Sequence, residues 1–338
     1  MPPIALRRTG DDGWTEVRDL DDVVRLRRDP GTLIWIESDV SGMSETEIRA
    51  LGSEFEIDPL AVEDAMSPRQ RPKLEAYPGH LLVVVHQLDE DDDDQLVPRQ
   101  VAAFIGAGFA IVLHHGAGRL VREVRDRVEK LDTTTASGDR LLHAMVDTAI
   151  DDDETIANRI GDEVEEMEDE ALEIARRRER RPDRKLPQHR WPSQYRLYTL
   201  KQQMSALRRY ALPLGAALER RPSARDREAD EEVDLLFRDV HDHVIRLAAA
   251  VRSSDDLTDG VLELVRSVQA ESLNETNKKL TAWAAIVAAP ALIVGLYGIN
   301  YGLVPSKSLG AWGFGLVVAL MALTSGGLYV SFRRRDWL

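Results

Sequence analysis

The longest apolar stretches of the chain lie near its C-terminal end. Residues 280–299 are apolar except for Thr281 and Tyr297, and residues 310–332 contain no charged side chain. Each stretch has about the 20 residues that a helix needs to cross the hydrocarbon core of a bilayer. The pattern therefore predicts two transmembrane helices, joined by a short outer loop at residues 300–309.

A second periodicity precedes the first span and runs into it. Apolar residues recur in steps of three and four, and Ser254 and Thr258 fall on the same seam. The apolar members of this seam are Leu236, Val240, Val244, Leu247, Val251, Val261, Val265 and Val268. Such spacing predicts a coiled-coil-like stalk helix over residues 223–279. A helix from residue 226 to residue 297 would be about 108 Å long, so the chain is expected to oligomerise.

The N-terminal part shows shorter elements of both kinds. Strand-length apolar runs occur at residues 33–36 and 81–85, and residues 101–113 read as two strands. Ser44 followed by Glu47 is a capping-box pattern that predicts a helix ending near Phe55. Residues 1–135 are therefore expected to form an α/β domain.

Residues 136–222 are expected to form a helical hairpin region, with helices over residues 139–181 and 193–212. The fold class is α+β: an N-terminal α/β cytoplasmic domain, then a long stalk helix that continues into two C-terminal transmembrane helices.

Charge predicts the orientation in the membrane. Lys278 and Lys279 precede the first span, and Arg333, Arg334 and Arg335 follow the second, in a basic tail over residues 333–338. Positive charge marks cytoplasmic flanks, so both outer ends are expected in the cytoplasm. The N-terminus lacks the apolar stretch of a secretory signal, which agrees with a cytoplasmic body.

Composition narrows the classes of partner. The chain has 59 acidic and 44 basic residues, for a net charge of −15, and no Cys. An acidic body suits cations and argues against nucleic acid, and the absence of Cys excludes disulfides and thiolate metal sites. The sequence has no Gly-rich phosphate loop, nucleophile elbow or zinc-protease motif, so neither enzymatic activity nor ATP coupling is expected.

The end of the first span carries a recognisable motif. It reads Tyr297-Gly298-Ile299-Asn300, with Pro305 five residues later. This resembles the outer pore signature of the CorA magnesium-channel family, usually Tyr-Gly-Met-Asn. Further similar stretches extend the resemblance over nearly the whole chain, at residues 58–64, 71–75, 237–243 and 274–281 and at the C-terminal Trp337-Leu338.

The resemblance implies a homopentamer in the cell membrane, with five first spans around a central pore and five second spans facing lipid. The selectivity filter would be Tyr297, Gly298, Ile299 and Asn300. Helical spacing from Asn274 places small and polar residues on one face of the first span, with Leu280 near the cytoplasmic end as a candidate constriction. The predicted pore-lining set is Asn274, Asn277, Leu280, Thr281, Ala284, Ala288, Ala291 and Gly295.

The expected cargo and regulator is Mg²⁺, with Zn²⁺ and Co²⁺ as alternative ions. Asp239 matches the family's stalk carboxylate that takes part in sensing intracellular ions, and Asp242 adds acidity on the same helix. Asp89 begins an acidic run, residues 89–94, that is a candidate for the neighbouring subunit's half of a sensing site. Asp239 and His243, at i and i+4, form a pair that could hold a transition metal.

Three functions stay open on the sequence. The first is a passive Mg²⁺ channel that intracellular divalent ions gate and the membrane potential drives. The second is a Zn²⁺ transporter of the ZntB branch, in which Gly-Ile-Asn is typical. The third, from another class, is a membrane-anchored structural or receptor protein whose spans only tether a coiled coil.

Overall fold

The computed structural model describes residues 4–9, 14–17, 22–23, 25, 32–67, 70–130, 138–180, 192–220, 231–298, 311–335 and 337. The chain forms two compact units. The first comprises residues 1–174 and 185–261, and the second comprises residues 175–184 and 262–338.

A seven-stranded mixed sheet is the centre of the first unit, in the order β2-β1-β3-β7-β6-β5-β4. The strands are β1 (Ile4–Thr9), β2 (Thr15–Val17), β3 (Thr32–Asp39), β4 (Lys73–Tyr77), β5 (His80–Glu90), β6 (Leu96–Gly106) and β7 (Phe109–His114). Strands β3 and β7 are parallel, and all other neighbours are antiparallel. The four predicted strands are β3, β5, β6 and β7. The sequence did not predict β1, β2 and β4, which lie at or next to the sheet edges and lack long apolar runs.

Eight α-helices are described in the two units. They are α1 (Glu45–Glu54), α2 (Pro59–Met66), α3 (Gly118–Glu129), α4 (Gly138–Arg180), α5 (Gln194–Tyr210), α6 (Pro213–Glu219), α7 (Glu231–Gly298) and α8 (Ala311–Arg334). Helices α4 and α5 confirm the two helices predicted for the middle of the chain. In the first unit, α1 and α2 cover one sheet face, while α3, α4, α6 and the start of α7 cover the other.

The predicted capping box at the start of α1 is confirmed. The Glu47 amide donates to Ser44 Oγ at 3.3 Å, and the Ser44 amide donates to Glu47 Oε2 at 2.7 Å. Helix α1 ends at Glu54, with Phe55 as its C-cap. Helix α2 begins in a similar way, because Asp58 Oδ1 accepts the Leu60 amide at 2.8 Å. Local side-chain bonds therefore fix both helix starts.

The apolar seam predicted for the stalk is buried. Within the first unit, Val240, Leu247 and Val251 are at most 2% exposed, and Ser254 and Thr258 are buried with them. Their hydroxyls donate to the carbonyls of Ala250 and Ser254, one helical turn earlier. These local bonds let two polar residues remain in the seam without leaving an unpaired donor.

One position at the N-terminal end of the seam differs from the prediction. Leu236 is only half-buried, whereas Phe237 is 6% exposed and joins the core cluster. Phe237 takes the core position, and Leu236, about 100° away around the helix, lies at the edge of the buried stripe.

The second unit contains both candidate membrane spans. The membrane part of α7 is the part that corresponds to the predicted first span, from residue 280 to residue 298. This part and helix α8 are long and apolar enough to cross a bilayer, and only 6% of the most apolar window of each helix is buried. Core helices of a soluble protein would be mostly buried, so the exposed apolar surface fits lipid contact. The predicted second span, residues 310–332, corresponds to α8.

Two glycines in hairpin turns test how backbone conformation limits substitution. Gly79 and Gly108 have φ values of +85° and +80°, which side-chain-bearing residues rarely adopt. A Cβ at Gly79 would meet nothing within 4 Å, whereas one at Gly108 would lie 3.0 Å from the Thr32 carbonyl oxygen. We expect Gly79→Ala to cost about 1 kcal/mol from the backbone alone, and Gly108→Ala to cost more.

Thermal unfolding of the full-length protein in detergent measures both effects. The Tm should fall further for Gly108→Ala than for Gly79→Ala, which serves as the matched control for the backbone term. Equal shifts would show that the contact with Thr32 does not limit this turn.

Candidate functional site

The membrane part of α7 has one side that packs against α8. Ala282 is fully buried, and Ser325 Oγ of α8 donates to the Ile286 carbonyl oxygen at 3.5 Å. The partly buried residues on this side are Ala285, Ile286, Ala289, Pro290, Ile293 and Tyr297. At about 100° per residue these positions fall on one side of the helix.

Pro290 explains why the Ser325 hydroxyl bonds to the Ile286 carbonyl oxygen. Proline has no N–H, so the carbonyl four residues earlier, that of Ile286, lacks its usual helical donor. In a membrane an unpaired carbonyl is costly because no water can replace the donor. The Ser325 hydroxyl supplies this donor from α8, which ties the two spans together at the proline.

The opposite side of α7 carries the predicted pore-lining residues. All eight are exposed: Asn274, Asn277, Leu280, Thr281, Ala284, Ala288, Ala291 and Gly295. A Cβ added at Gly295 would meet nothing within 4 Å. Because α8 covers the other side of α7, this face of small and polar residues is open to partners outside the chain.

The predicted filter lies where α7 ends. Tyr297 is half-buried, and Gly298 is the last residue of the helix. Ile299, Asn300 and the outer loop lie outside the described residues, so the filter geometry stays a prediction.

The predicted sensing residues lie in the first unit, in three different settings. Asp239 has a 70% exposed side chain whose Oδ2 lies 3.6 Å from His243 Nε2, and Asp242 is also exposed. Asp89, on β5, accepts a 2.6 Å bond from Arg99 Nε. A cation at Asp89 would therefore have to compete with an arginine of the same chain, whereas Asp239 is open to solvent.

Comparison with known proteins places the chain in a family. The family model described as "CorA-like Mg2+ transporter protein" matches residues 31–334. The chain belongs to the CorA family. It is therefore a divalent-cation transporter rather than an enzyme. Membership of this family excludes the third function left open by the sequence, a membrane-anchored structural or receptor protein.

Individual relatives cover most of this CorA-family chain. The cobalt/magnesium transport protein CorA of Thermotoga maritima is 28% identical over 92% of this chain and 85% of its own length. The zinc transport protein ZntB of Yersinia enterocolitica is 21% identical, over 83% and 81%. The solved CorA magnesium transporter of Methanocaldococcus jannaschii aligns with a TM-score of 0.75 over 99% of each chain, at 18% identity. At this low identity, the match to the solved structure shows similarity of fold alone.

Helix α4 of this CorA-family chain carries four successive acids that the sequence analysis did not single out. Arg127 pairs with Asp151, through Nη2 at 2.6 Å, and also contacts Asp147. Arg119 binds Asp152 with its two terminal guanidinium nitrogens, Nη1 and Nη2, at 2.7 and 2.8 Å, and this pairing raises the pKa of Arg119. The first two acids thus hold α4 to α3.

The last two acids of this run have other environments. Asp153 is 3% exposed, and its Oδ1 has no hydrogen-bond partner among the described residues. Glu154 points to the stalk, where its Oε2 lies 3.2 Å from His243 Nδ1. The Asp239–His243 spacing signalled one half of this contact, but the partner on α4 lies 89 residues away in the sequence and left no local signal.

Burial raises the pKa of Asp153 well above its ordinary value. The unfolded chain ionises this group near pH 4, while the folded chain keeps it protonated to higher pH. Folding therefore takes up a proton between the two pKa values, and the contribution of Asp153 to stability falls as the pH rises through that window. Asp153→Asn stays neutral at every pH and should remove this loss.

Melting curves between pH 5 and pH 8 check this expectation. The Tm of the wild type should fall more across this range than the Tm of Asp153→Asn. The neighbouring variant Asp152→Asn is the contrasting control, because it loses the Arg119 pair and should be less stable at neutral pH. Parallel pH profiles for the wild type and Asp153→Asn would contradict the buried-acid assignment.

Proposed function

We propose that this CorA-family protein is a passive channel for divalent cations, with Mg²⁺ as its physiological ion. The observation that carries the proposal is the division of α7 into two sides. The side facing α8 is packed, and the opposite side, with small and polar residues from Asn274 to Gly295, is exposed. Small residues let helices approach closely around an axis, which supports α7 as the pore helix of an oligomer; the number of five subunits rests on the resemblance to the family.

The proposed filter conducts hydrated ions. Mg²⁺ gives up its water reluctantly, so a ring that stripped the ion would present a large barrier. A ring of Asn300 side-chain carbonyl oxygens, with backbone carbonyls of Gly298 and Ile299, would hydrogen-bond the hydration shell instead. Tyr297 would hold the end of α7 below this ring.

The proposed driving force is the membrane potential. A divalent ion gains about 4.6 kcal/mol per 100 mV, twice the single-charge value. Inward movement then requires no ATP. With both termini in the cytoplasm of a cell whose plasma membrane is negative inside, the potential would draw cations towards the cytoplasm.

The proposed gate responds to cytoplasmic Mg²⁺ through the stalk carboxylates. Ions bound near Asp239 and Asp242, with the exposed acids that follow Asp89 in the neighbouring subunit's run 89–94 as the other half of the site, would screen like charges and hold the closed state. When the ion concentration falls, repulsion favours opening. The 70% exposure of Asp239 supports this role, because its carboxylate is accessible to solvent ions.

Transport of Zn²⁺ is the second candidate. The Gly298-Ile299-Asn300 sequence supports it, since Gly-Ile-Asn is typical of the ZntB branch. The 28% identical relative named for cobalt and magnesium and the 21% identical relative named for zinc favour Mg²⁺. A liposome flux assay with Mg²⁺ and Zn²⁺ in competition separates the two candidate functions. Preferential transport of Zn²⁺ over Mg²⁺ would support the zinc assignment.

Single cysteines test which side of α7 faces the pore. The chain has no Cys, so Ala288→Cys and Ala289→Cys each introduce a unique thiol, the first on the exposed side of the helix and the second on the side that faces α8. A cationic, water-soluble thiol reagent should block flux through Ala288→Cys, because that side would line a hydrated pore. Ala289→Cys faces α8 and is the matched control, which should keep its flux. Block of Ala289→Cys alone would reverse the assignment.

The filter is tested by Asn300→Ala. Loss of the amide oxygens should abolish divalent-cation uptake into proteoliposomes while the protein still assembles, as judged by its elution volume. Asn274→Ala, in the described part of α7, is a control for the loss of an exposed amide and should retain measurable flux. Normal uptake by Asn300→Ala would remove this residue from the filter.

A further inference from the structure

We infer that the end of α4 binds anionic phospholipid headgroups at the membrane surface, together with the basic residues that flank the two spans. This interaction surface, the basic collar, lies wholly in the second unit. The inference does not depend on the proposed channel function. The members of the basic collar are Arg176, Arg180, Lys278, Lys279, Arg333, Arg334 and Arg335.

Arg178 holds the end of α4 against α7, just before the first span. Its Nη1 donates to the Val268 carbonyl oxygen at 3.1 Å, and its Nη2 lies 3.5 Å from Glu275 Oε2. The Arg178 side chain is only 15% exposed, so these contacts withdraw it from solvent. They hold the last turn of α4 beside the part of α7 that leads into the membrane.

These contacts lie within electrostatic reach of a bilayer. Val268 and Glu275 precede residue 280, where the predicted first span begins, by about 18 and 7.5 Å of helix rise. The headgroup layer is about 5–7 Å thick on each side of the hydrocarbon core, and the field of an anionic surface extends about 8 Å further at physiological ionic strength. An anionic membrane would therefore attract basic side chains at the end of α4.

The charge of α4 reverses where the helix reaches this position. Residues 162–173 contain eight acids and no basic residue, whereas residues 176–180 contain four Arg and one Glu. At about 100° per residue, Arg176 and Arg180 each lie about 160° around the helix from Arg178. Both are exposed, and neither has an ion-pair partner among the residues that the structure describes. One side of the α4 end therefore binds α7, and the opposite side presents unpaired positive charge.

The other members of the basic collar lie at the same end of the spans. Ser325 of α8 contacts the Ile286 carbonyl oxygen of α7. Residue 280 comes six residues before Ile286, and Arg334 comes nine residues after Ser325. Because successive spans cross a membrane in opposite directions, both segments leave it on the same side. The exposed residues that flank the spans there are Lys278, Lys279, Arg333, Arg334 and Arg335.

An aromatic pair marks this surface as a membrane interface. Trp337 stacks on Phe332 with ring centroids 5.5 Å apart, and its amide donates to the Phe332 carbonyl oxygen at 3.0 Å. Tryptophan is enriched at the boundary between lipid and water, where its ring lies at the level of the headgroups. The fold-back after α8 thus keeps the three arginines before Trp337 next to the headgroups.

Charge determines which lipid the basic collar selects. Guanidinium groups bind phosphate oxygens with two parallel hydrogen bonds, and each basic side chain near an anionic surface contributes about fivefold to binding. Phosphatidylglycerol has a net negative charge, whereas phosphatidylcholine is neutral overall, so the basic collar should enrich the former. Bound lipid would hold the end of α4 at the bilayer, as Arg178 holds it to α7.

The test uses the full-length protein reconstituted into phosphatidylcholine vesicles. The chain has no Cys, so Glu179→Cys provides a single site for a neutral fluorophore at the end of α4. Quenching by spin-labelled phosphatidylglycerol is compared with quenching by equally spin-labelled phosphatidylcholine, each present in both leaflets. We expect phosphatidylglycerol to quench at a lower mole fraction, and we expect added NaCl to reduce this preference by screening.

Two double variants in the labelled parent test the assignment of residues. Arg176→Gln with Arg180→Gln should raise the mole fraction of phosphatidylglycerol needed for half-maximal quenching by at least about fivefold. Quenching by phosphatidylcholine should not change. Arg122→Gln with Arg209→Gln is the matched control, because it removes two exposed arginines of the first unit, and it should behave as the labelled parent does.

A further variant tests the position of the α4 end. Arg178→Gln removes the contact with α7 and should weaken quenching by both lipids, because the end of α4 is then no longer held near the bilayer. The elution volume in detergent confirms the assembly of each variant.

Four results would overturn the inference. Equal quenching by the two lipids in the labelled parent at low salt would remove the preference for anionic headgroups. Absence of quenching by either lipid would show that the end of α4 does not reach the bilayer. Equal losses in the two double variants would remove the role of Arg176 and Arg180. A larger loss of preference in sodium phosphate than in NaCl of equal ionic strength would assign the basic collar to a soluble anion.

Discussion

The buried seam of α7 is the constraint on which the first unit depends. Val240 and Val244 belong to the core cluster beneath the sheet, and Leu247 and Val251 belong to the cluster shared with α4 and α5. Full burial of each such side chain contributes about 1.5–3 kcal/mol. Because one helix supplies both clusters in register, a change in its rotation would expose both. That register also fixes where Asp239 and His243 lie on the helix.

In the second unit the same helix follows a different physical rule. Lipid gives no hydrophobic gain for packing apolar surfaces together, so close contact and satisfied polar groups determine how spans associate. Ala282 provides close contact, and the Ser325 hydroxyl supplies a donor to the carbonyl that Pro290 leaves without one. These features occupy one side of α7. Among the described residues the opposite side of α7 has no such contact, which supports the proposed pore face alongside the motif resemblance.

The sequence predicted features whose signals are local or periodic. The spans, the seam and the Ser44–Glu47 box each lie within one segment, and the structure contains all three. It did not predict the edge strand β4 because KLEAY has no apolar run and forms a strand through pairing with β5. It could not predict the contact between Glu154 and His243, which arises only when α4 and α7 pack. The filter residues Ile299 and Asn300 remain predictions from resemblance.

Net charge alone does not show which carboxylates respond to cation concentration. An acid bonded to an arginine of its own chain is already neutralised, so a change in free Mg²⁺ alters its repulsion little. Asp152 is paired in this way with Arg119, and Asp89 with Arg99. Asp239 and Asp242, by contrast, lie exposed on α7. The proposed sensitivity to ions therefore fits Asp239 and Asp242 on the stalk better than the arginine-bound Asp152 and Asp89.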